Sequence, residues 1–357
     1  MSIRHNDIVP NHGDVWNNSP VQKILYAIGG LILLLIAIGL MLPSTAVVVA
    51  SIDTSARPAT LYALINDFRQ FNRWSPAIKS DPNARVIYSG PIRGVGASMT
   101  WDGLVIGTGT QTITASEPFR LIETVINEGE SSEARTRFEI IDGGSITNVL
   151  WTFEADYGYN IVGRYASLLL LRVIQRDYQD GLLELREMAE ALPRTDFASL
   201  DVEHLFVEAT DIAFLPTVSA PDPTAISEAL GQAYFRVTSF MNEHQLAFDG
   251  APLSIMRSFD GSVLQFDSAI PVRGITDATP LSSNSVSIGK SYAGPVIRVQ
   301  HLGSYRRLAD THLKIASYLA AHGIERNGDS WESYVSDPTQ VDEADLVTLV
   351  YYPIVAE

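Results

Sequence analysis

The spacing of apolar residues changes character several times along the chain, and each change marks an element. Residues 24–42 run for nineteen positions without a charge and include Leu31-Ile32-Leu33-Leu34-Leu35-Ile36. At about 1.5 Å per residue, a helix of this length just crosses a hydrocarbon core of about 30 Å. A transmembrane helix is therefore predicted over 24–42, behind an N-terminal tail of residues 1–23. Lys23 and Pro43 bracket it, and Tyr26 stands where an interfacial aromatic would. A signal peptide is the competing expectation, because Ser44-Thr45-Ala46 offers small residues for cleavage. Its apolar core would exceed the usual length of about 7–15 residues. Arg4 and Lys23 precede the span and Arg57 follows only at a distance, so the expected arrangement is single-pass, with the soluble part outside the cytoplasm.

Beyond Pro43 the period shifts. Residues 46–53 read as a strand, and a helix opens at Pro58 with Leu61, Leu64 and Ile65 on one face. A second short helix carries Phe68, Phe71 and Trp74 and is stopped by Ser75-Pro76. Stretches rich in β-branched and aromatic residues follow near 86–88, 97–101, 107–116, 120–127, 134–141 and 147–156. Residues 161–192 then form one long helix with no internal proline. A curved antiparallel sheet wrapped on such a helix encloses a hollow. Pro193 ends this unit, and 193–200 reads as a linker.

From residue 201 the pattern repeats. The first half has strands near 202–208 and 212–216, a helix over 225–248, Gly250, and two strands ending in Ile270-Pro271. The second has strands near 286–290 and 296–302, a helix over 304–322, Gly323, and two strands ending in Tyr352-Pro353. Both helices carry apolar stripes, one through Ala233, Tyr234 and Val237, the other through Leu308, His312 and Ile315. The predicted class is α+β: a transmembrane helix, a sheet-and-helix domain over 46–192, and a duplicated β-α-β-β domain over 201–357.

Short motifs in both units carry resemblances. The first unit holds Asn72-Arg73-Trp74-Ser75-Pro76, Asp81-Pro82, Gly94-Val95-Gly96, Met99-Thr100-Trp101, Glu117-Pro118-Phe119 and Val149-Leu150-Trp151. It resembles the helix-grip superfamily of START, polyketide-cyclase-like and birch-allergen-like (SRPBCC) domains, which implies a cavity for hydrophobic ligands and no single activity. The second unit holds Val299-Gln300-His301-Leu302-Gly303-Ser304-Tyr305, Ser330-Trp331-Glu332-Ser333-Tyr334 with Asp337-Pro338, and Tyr351-Tyr352-Pro353-Ile354. It resembles the gyrase-inhibitor-like effector-binding domain. That resemblance implies amphipathic, often cationic aromatic ligands held between two halves by a glutamate, whose place Glu332 takes. It also implies that some relatives hydrolyse small reactive toxins with that glutamate.

Charge narrows the partners. The chain carries −16 overall and has no cysteine; residues 194–357 alone carry −11, from ten basic and twenty-one acidic residues. Such a surface repels phosphate, and with no basic stripe nucleic-acid binding is not expected. A cationic ligand is tolerated. Glu332, Tyr334, Tyr292, Tyr305 and Tyr234 are the expected ligand-binding residues of the second unit, and Trp74, Trp101 and Trp151 those of the first. On a strand, Glu332 and Tyr334 share a face and Trp331 takes the other. A carboxylate desolvated among aromatics is pushed toward its neutral form unless a cation compensates. His301 is expected to brace the turn into the following helix. His312 and His322 are too far apart on their helix for one metal, so neither a metal nor a cofactor is expected. Gly289-Lys290-Ser291, Gly328-Asp329-Ser330 and Gly94-Val95-Gly96 each lack a part of the phosphate-loop, lipase or dinucleotide motif they approach. The run Leu168-Leu169-Leu170-Leu171 cannot all be buried on one face, and is expected to cover the cavity mouth, meet the other domain or approach the bilayer. The functional expectation is a membrane-anchored binder of hydrophobic or amphipathic, cationic small molecules that uses two tandem cavities, with no assigned catalytic residue. The alternatives are a hydrolase using Glu332 as acid or base, and a structural envelope adaptor without ligand.

Overall fold

The computed structural model describes residues 20–128 and 132–356. Helix α1 (Pro20–Met41) takes in the apolar run and begins four residues earlier than expected, since proline is well placed in a first helical turn. The rest of the expected tail, residues 1–19, lies outside the described residues. By length and composition α1 is able to cross a membrane.

The first unit runs β1 (Thr45–Thr54), α2 (Pro58–Ile65), α3 (Phe68–Trp74), α4 (Pro76–Ser80), β2 (Arg85–Ser89), β3 (Ser98–Gly103), β4 (Gly107–Glu117), β5 (Leu121–Glu128), β6 (Ser132–Asp142), β7 (Thr147–Asp156) and α5 (Ile161–Ala191). Its strands form one antiparallel sheet in the order β1-β7-β6-β5-β4-β3-β2. Alternation on β1 turns Ala46, Val48, Ala50 and Ile52 inward, and α5 lies along it. The Asp67 and Asn160 side chains cap α3 and α5 by accepting from backbone N–H groups. Helix α4 was not foreseen, because Pro76 stops α3 and also opens the next turn.

Aromatic rings fill the interior expected to be hollow. Trp151 is sandwiched between Phe138 at 4.7 Å and Tyr178 of α5 at 3.6 Å. Trp74 meets Phe71, Phe138 and Trp151, and its indole N–H donates to the Leu64 carbonyl at 3.0 Å. Trp74, Trp101 and Trp151 are all buried and belong to one continuous core cluster. Expected on a ligand-facing wall, they are core side chains here. The sheet's curvature brings the rings of Trp74 and Trp151 together, while Trp101 packs over Gly109.

The second unit runs β8 (Val202–Val207), β9 (Asp211–Ser219), α6 (Pro223–Glu243), β10 (Ala247–Phe248), β11 (Leu253–Phe259), β12 (Leu264–Arg273), β13 (Ser282–Ser283), β14 (Val286–Lys290), β15 (Gly294–Leu302), α7 (Leu308–His322), β16 (Trp331–Tyr334) and β17 (Val347–Pro353). Helix α6 stops five residues short of the expected 248. Gln245 takes a left-handed conformation, and Phe248 pairs with Val272 of β12 instead. The main sheet path is β13-β14-β9-β12-β11-β16-β17-β15-β8.

Connectivity dictates a strong curl. Three residues join β8 to β9, and three join β14 to β15, yet each pair is separated by six strand spacings along the path. A flat sheet would put about 29 Å between them. The connectors reach only about 14 Å. The path therefore bends back on itself, and the connectors bond to each other: Ser291 N–H donates to the Thr210 carbonyl and Thr210 N–H to Ser291 Oγ, both at 2.9 Å.

The units also meet. Ala59 and Ala63 of α2 pack with Phe197 and Ala321 of α7. Gln70 donates to the His322 carbonyl at 3.1 Å. Phe197 is buried, so the expected linker 193–200 is pinned at the interface.

Candidate functional site

Helix α6 packs on β9, β12 and β14, and α7 on β15, so the seam strands β11 and β16 lie between the two helices. Those seam strands are joined by three residue pairs, with Ser254 opposite Glu332. Alternation along β16 sends Glu332 and Tyr334 to the helix-bearing face and Trp331 to the other, as predicted.

At Glu332 several elements converge. Its Oε1 lies 2.8 Å from His312 Nε2 of α7, and its Oε2 accepts from the Tyr334 hydroxyl at 2.5 Å. His312 Nδ1 lies 2.7 Å from the Tyr352 hydroxyl of β17. The His312 ring thus bridges Glu332 and Tyr352, one from each nitrogen. Tyr305 meets Tyr334 edge-on at 5.4 Å. Tyr234, from α6, donates its hydroxyl to the Leu253 carbonyl at 2.9 Å. The Glu332 and His312 side chains keep 18% and 24% of their surface exposed.

The tyrosines are held protonated. Burial, then the Glu332 charge, pushes Tyr234 and Tyr334 well above the ordinary phenol value. Tyr305 is raised by burial and by Asp337 and Glu332. Burial also raises Tyr352, against the opposing charge of Arg326, whose guanidinium sits 4.8 Å over its ring. The site is thus the Glu332 carboxyl group and the His312 ring, surrounded by protonated tyrosine hydroxyls and aromatic faces. It can hold a cation against π faces, or move a proton between His312 and Glu332.

Of the expected residues, Glu332, Tyr334, Tyr305 and Tyr234 come together. Tyr292 does not. It stands 5.9 Å from Trp331, which stacks on Tyr351 at 4.8 Å on the opposite face. The bend at the β14–β15 connector turns it there. His312 and Tyr334 supply hydrogen bonds to the Glu332 carboxyl group from within the chain. His312 was missed as a partner. Its signal was its place in the apolar stripe of α7, since an inward histidine needs a polar partner. His301 braces the turn as expected, with Nδ1 2.8 Å from Thr311 Oγ1 and Nε2 donating to the Ser304 carbonyl.

Residues 45–190 match the family described as polyketide cyclase / dehydrase and lipid transport. That span covers the first unit from β1 to the end of α5. No curated protein matches the chain. Among solved structures, the C-terminal domain of EcmrR is similar over 44% of this chain and 99% of its own, with 10% identity and a TM-score of 0.37. A hydrolase encoded by lin2189 from Listeria innocua is similar over 43% and 92%, with 12% identity and a TM-score of 0.33. The protein TTHA0849 from Thermus thermophilus is similar over 41% and 97%, with 18% identity and a TM-score of 0.32.

Proposed function

We propose that this protein is a membrane-anchored receptor for an amphipathic, cationic small molecule, bound in the groove between α6 and α7. The observation that carries the proposal is the convergence of four residues, Tyr234, Tyr305, His312 and Tyr334, around the partly buried Glu332 carboxyl group. The Glu332 carboxyl group stands beside aromatic faces, the combination that holds an organic cation. The match of the first unit to a family whose description includes lipid transport supports small-molecule binding as the general activity. Anchoring is supported by the length and apolar composition of α1.

The test is titration of the detergent-solubilised chain with a lipophilic cation such as tetraphenylphosphonium, beside a neutral aromatic of similar size. Glu332→Gln is expected to weaken the cation by about tenfold or more, since a contact to a charged group is worth about 1.5–3 kcal/mol. The neutral compound should hardly change. Equal affinity for the cation in both proteins would refute the assignment.

A second reading rests on the His312–Glu332 pair. Together they form an acid–base dyad able to activate water against an electrophilic small molecule, with Tyr334 as a protonated donor. In that case Glu332→Gln abolishes turnover of a reactive substrate while its binding persists.

A further inference from the structure

Helix α1 is clamped to the domain that follows it. The last carbonyls of a helix lack intrahelical donors and carry partial negative charge. Here the Arg164 guanidinium answers them, donating to Leu40 O at 3.0 Å and Leu42 O at 2.8 Å, and also to Gly158 O. Arg164 is only 8% exposed. The Tyr165 hydroxyl donates to Leu35 O at 2.7 Å. Gly39 is needed at the contact, because a Cβ there would collide with Ile161 Cγ2. The start of α5 is thus fixed beside the end of α1.

From that joint an apolar strip continues along α5. Val162, Leu169 and Val173 share a side with Tyr165 by helical spacing, and Val162 and Leu169 are 78% and 74% exposed. Residues 157–176 hold three arginines and no acid, in a chain of net charge −16. Arg172 and Arg176 are exposed at the border of the strip, with Arg176 3.8 Å from Asp180 one turn further on. An apolar stripe with a basic border is the pattern of a helix lying in the lipid headgroup region.

We propose that the first four turns of α5 rest in the surface of the bilayer that α1 crosses. Val162, Leu169 and Val173 enter the acyl boundary, and Arg172 and Arg176 meet anionic headgroups. This rests on α1 crossing the membrane. The first unit then lies directly on the membrane, and its long helix is partly a lipid contact.

The chain has no cysteine, so single-cysteine variants report cleanly. Leu33→Cys in α1, Val162→Cys and Leu169→Cys in the strip, and Glu187→Cys on the distal part of α5 are labelled with an environment-sensitive fluorophore. Each full chain is reconstituted in phosphatidylcholine–phosphatidylglycerol vesicles with nitroxide-bearing acyl chains. The labels at 33, 162 and 169 should each lose about half their emission or more, as probes at acyl depth do, and the label at 187 should lose almost none. Quenching at 33 with water-like, unquenched emission at 162 and 169 would overturn the proposal and leave the anchor standing. Blue-shifted but unquenched emission at 162 and 169 would mean contact with a second protein copy, which also overturns it. No quenching at 33 would remove the anchor and the proposal together.

Discussion

Acidification should loosen the joint between the two units through His322. This side chain sits against Tyr318 and Phe197, its Nδ1–H donating to the Tyr318 carbonyl at 2.9 Å. Burial, reinforced by the charge of Arg93 and by His204, lowers its pKa from 6.5 to about 4. The folded pKa lies below the unfolded one, so above about pH 6.5 both states are neutral and nothing is lost. Between pH 6.5 and 4 the unfolded chain takes up a proton that the folded chain refuses, and stability falls. At about 1.36 kcal/mol per unit the full loss is about 3 kcal/mol, complete near pH 4. Urea unfolding of the detergent-solubilised chain at steps from pH 7 to 4 measures it. Far-ultraviolet circular dichroism follows the transition, because emission from the chain's four other tryptophans overlies that of Trp331. His322→Gln keeps a donor for Tyr318 but cannot protonate, and should flatten the profile by that amount. Parallel profiles for the two proteins would refute the reasoning.

Trp74→Ala should cost about 3–5 kcal/mol in the same assay, as loss of a fully buried core aromatic does; a change below about 1 kcal/mol would mean that the ring faces open space. Arg164→Leu strands the last carbonyls of α1 and should cost about 1.5–3 kcal/mol of thermal stability in detergent, with faster proteolysis near Pro43. Gly323→Ala should destabilise by about 1–2 kcal/mol, because φ is +64° there and a Cβ would press on Gln70; a neutral effect would show that the α2–α7 contact yields.

Much of the fold was legible because its signals are local. The strands of the first unit announce themselves by alternation and by Gly, Pro and Asp between them, and α5 by thirty-one residues without a proline. Glu332 was legible from its motif, and the side it shares with Tyr334 from strand geometry alone. What stayed hidden depends on contacts between distant segments. His312 meets Glu332 across twenty residues, and only the packing of α7 on the sheet brings them together. The separation of Tyr292 from the other tyrosines is set by the curl at 291–293, which leaves no local pattern. The tryptophans of the first unit looked alike as wall or core, since burial depends on how tightly the sheet closes.

The short connectors that force the curl also interlock the second unit. Strand β8 precedes β9 in the chain yet completes the layer built on β15, while β14 completes the layer built on β9. Each half thus lends an edge strand to its neighbour. A nick between β12 and β14 would leave two fragments that stay together, each covering an edge of the other. Either fragment by itself would present a bare strand edge where its partner now pairs.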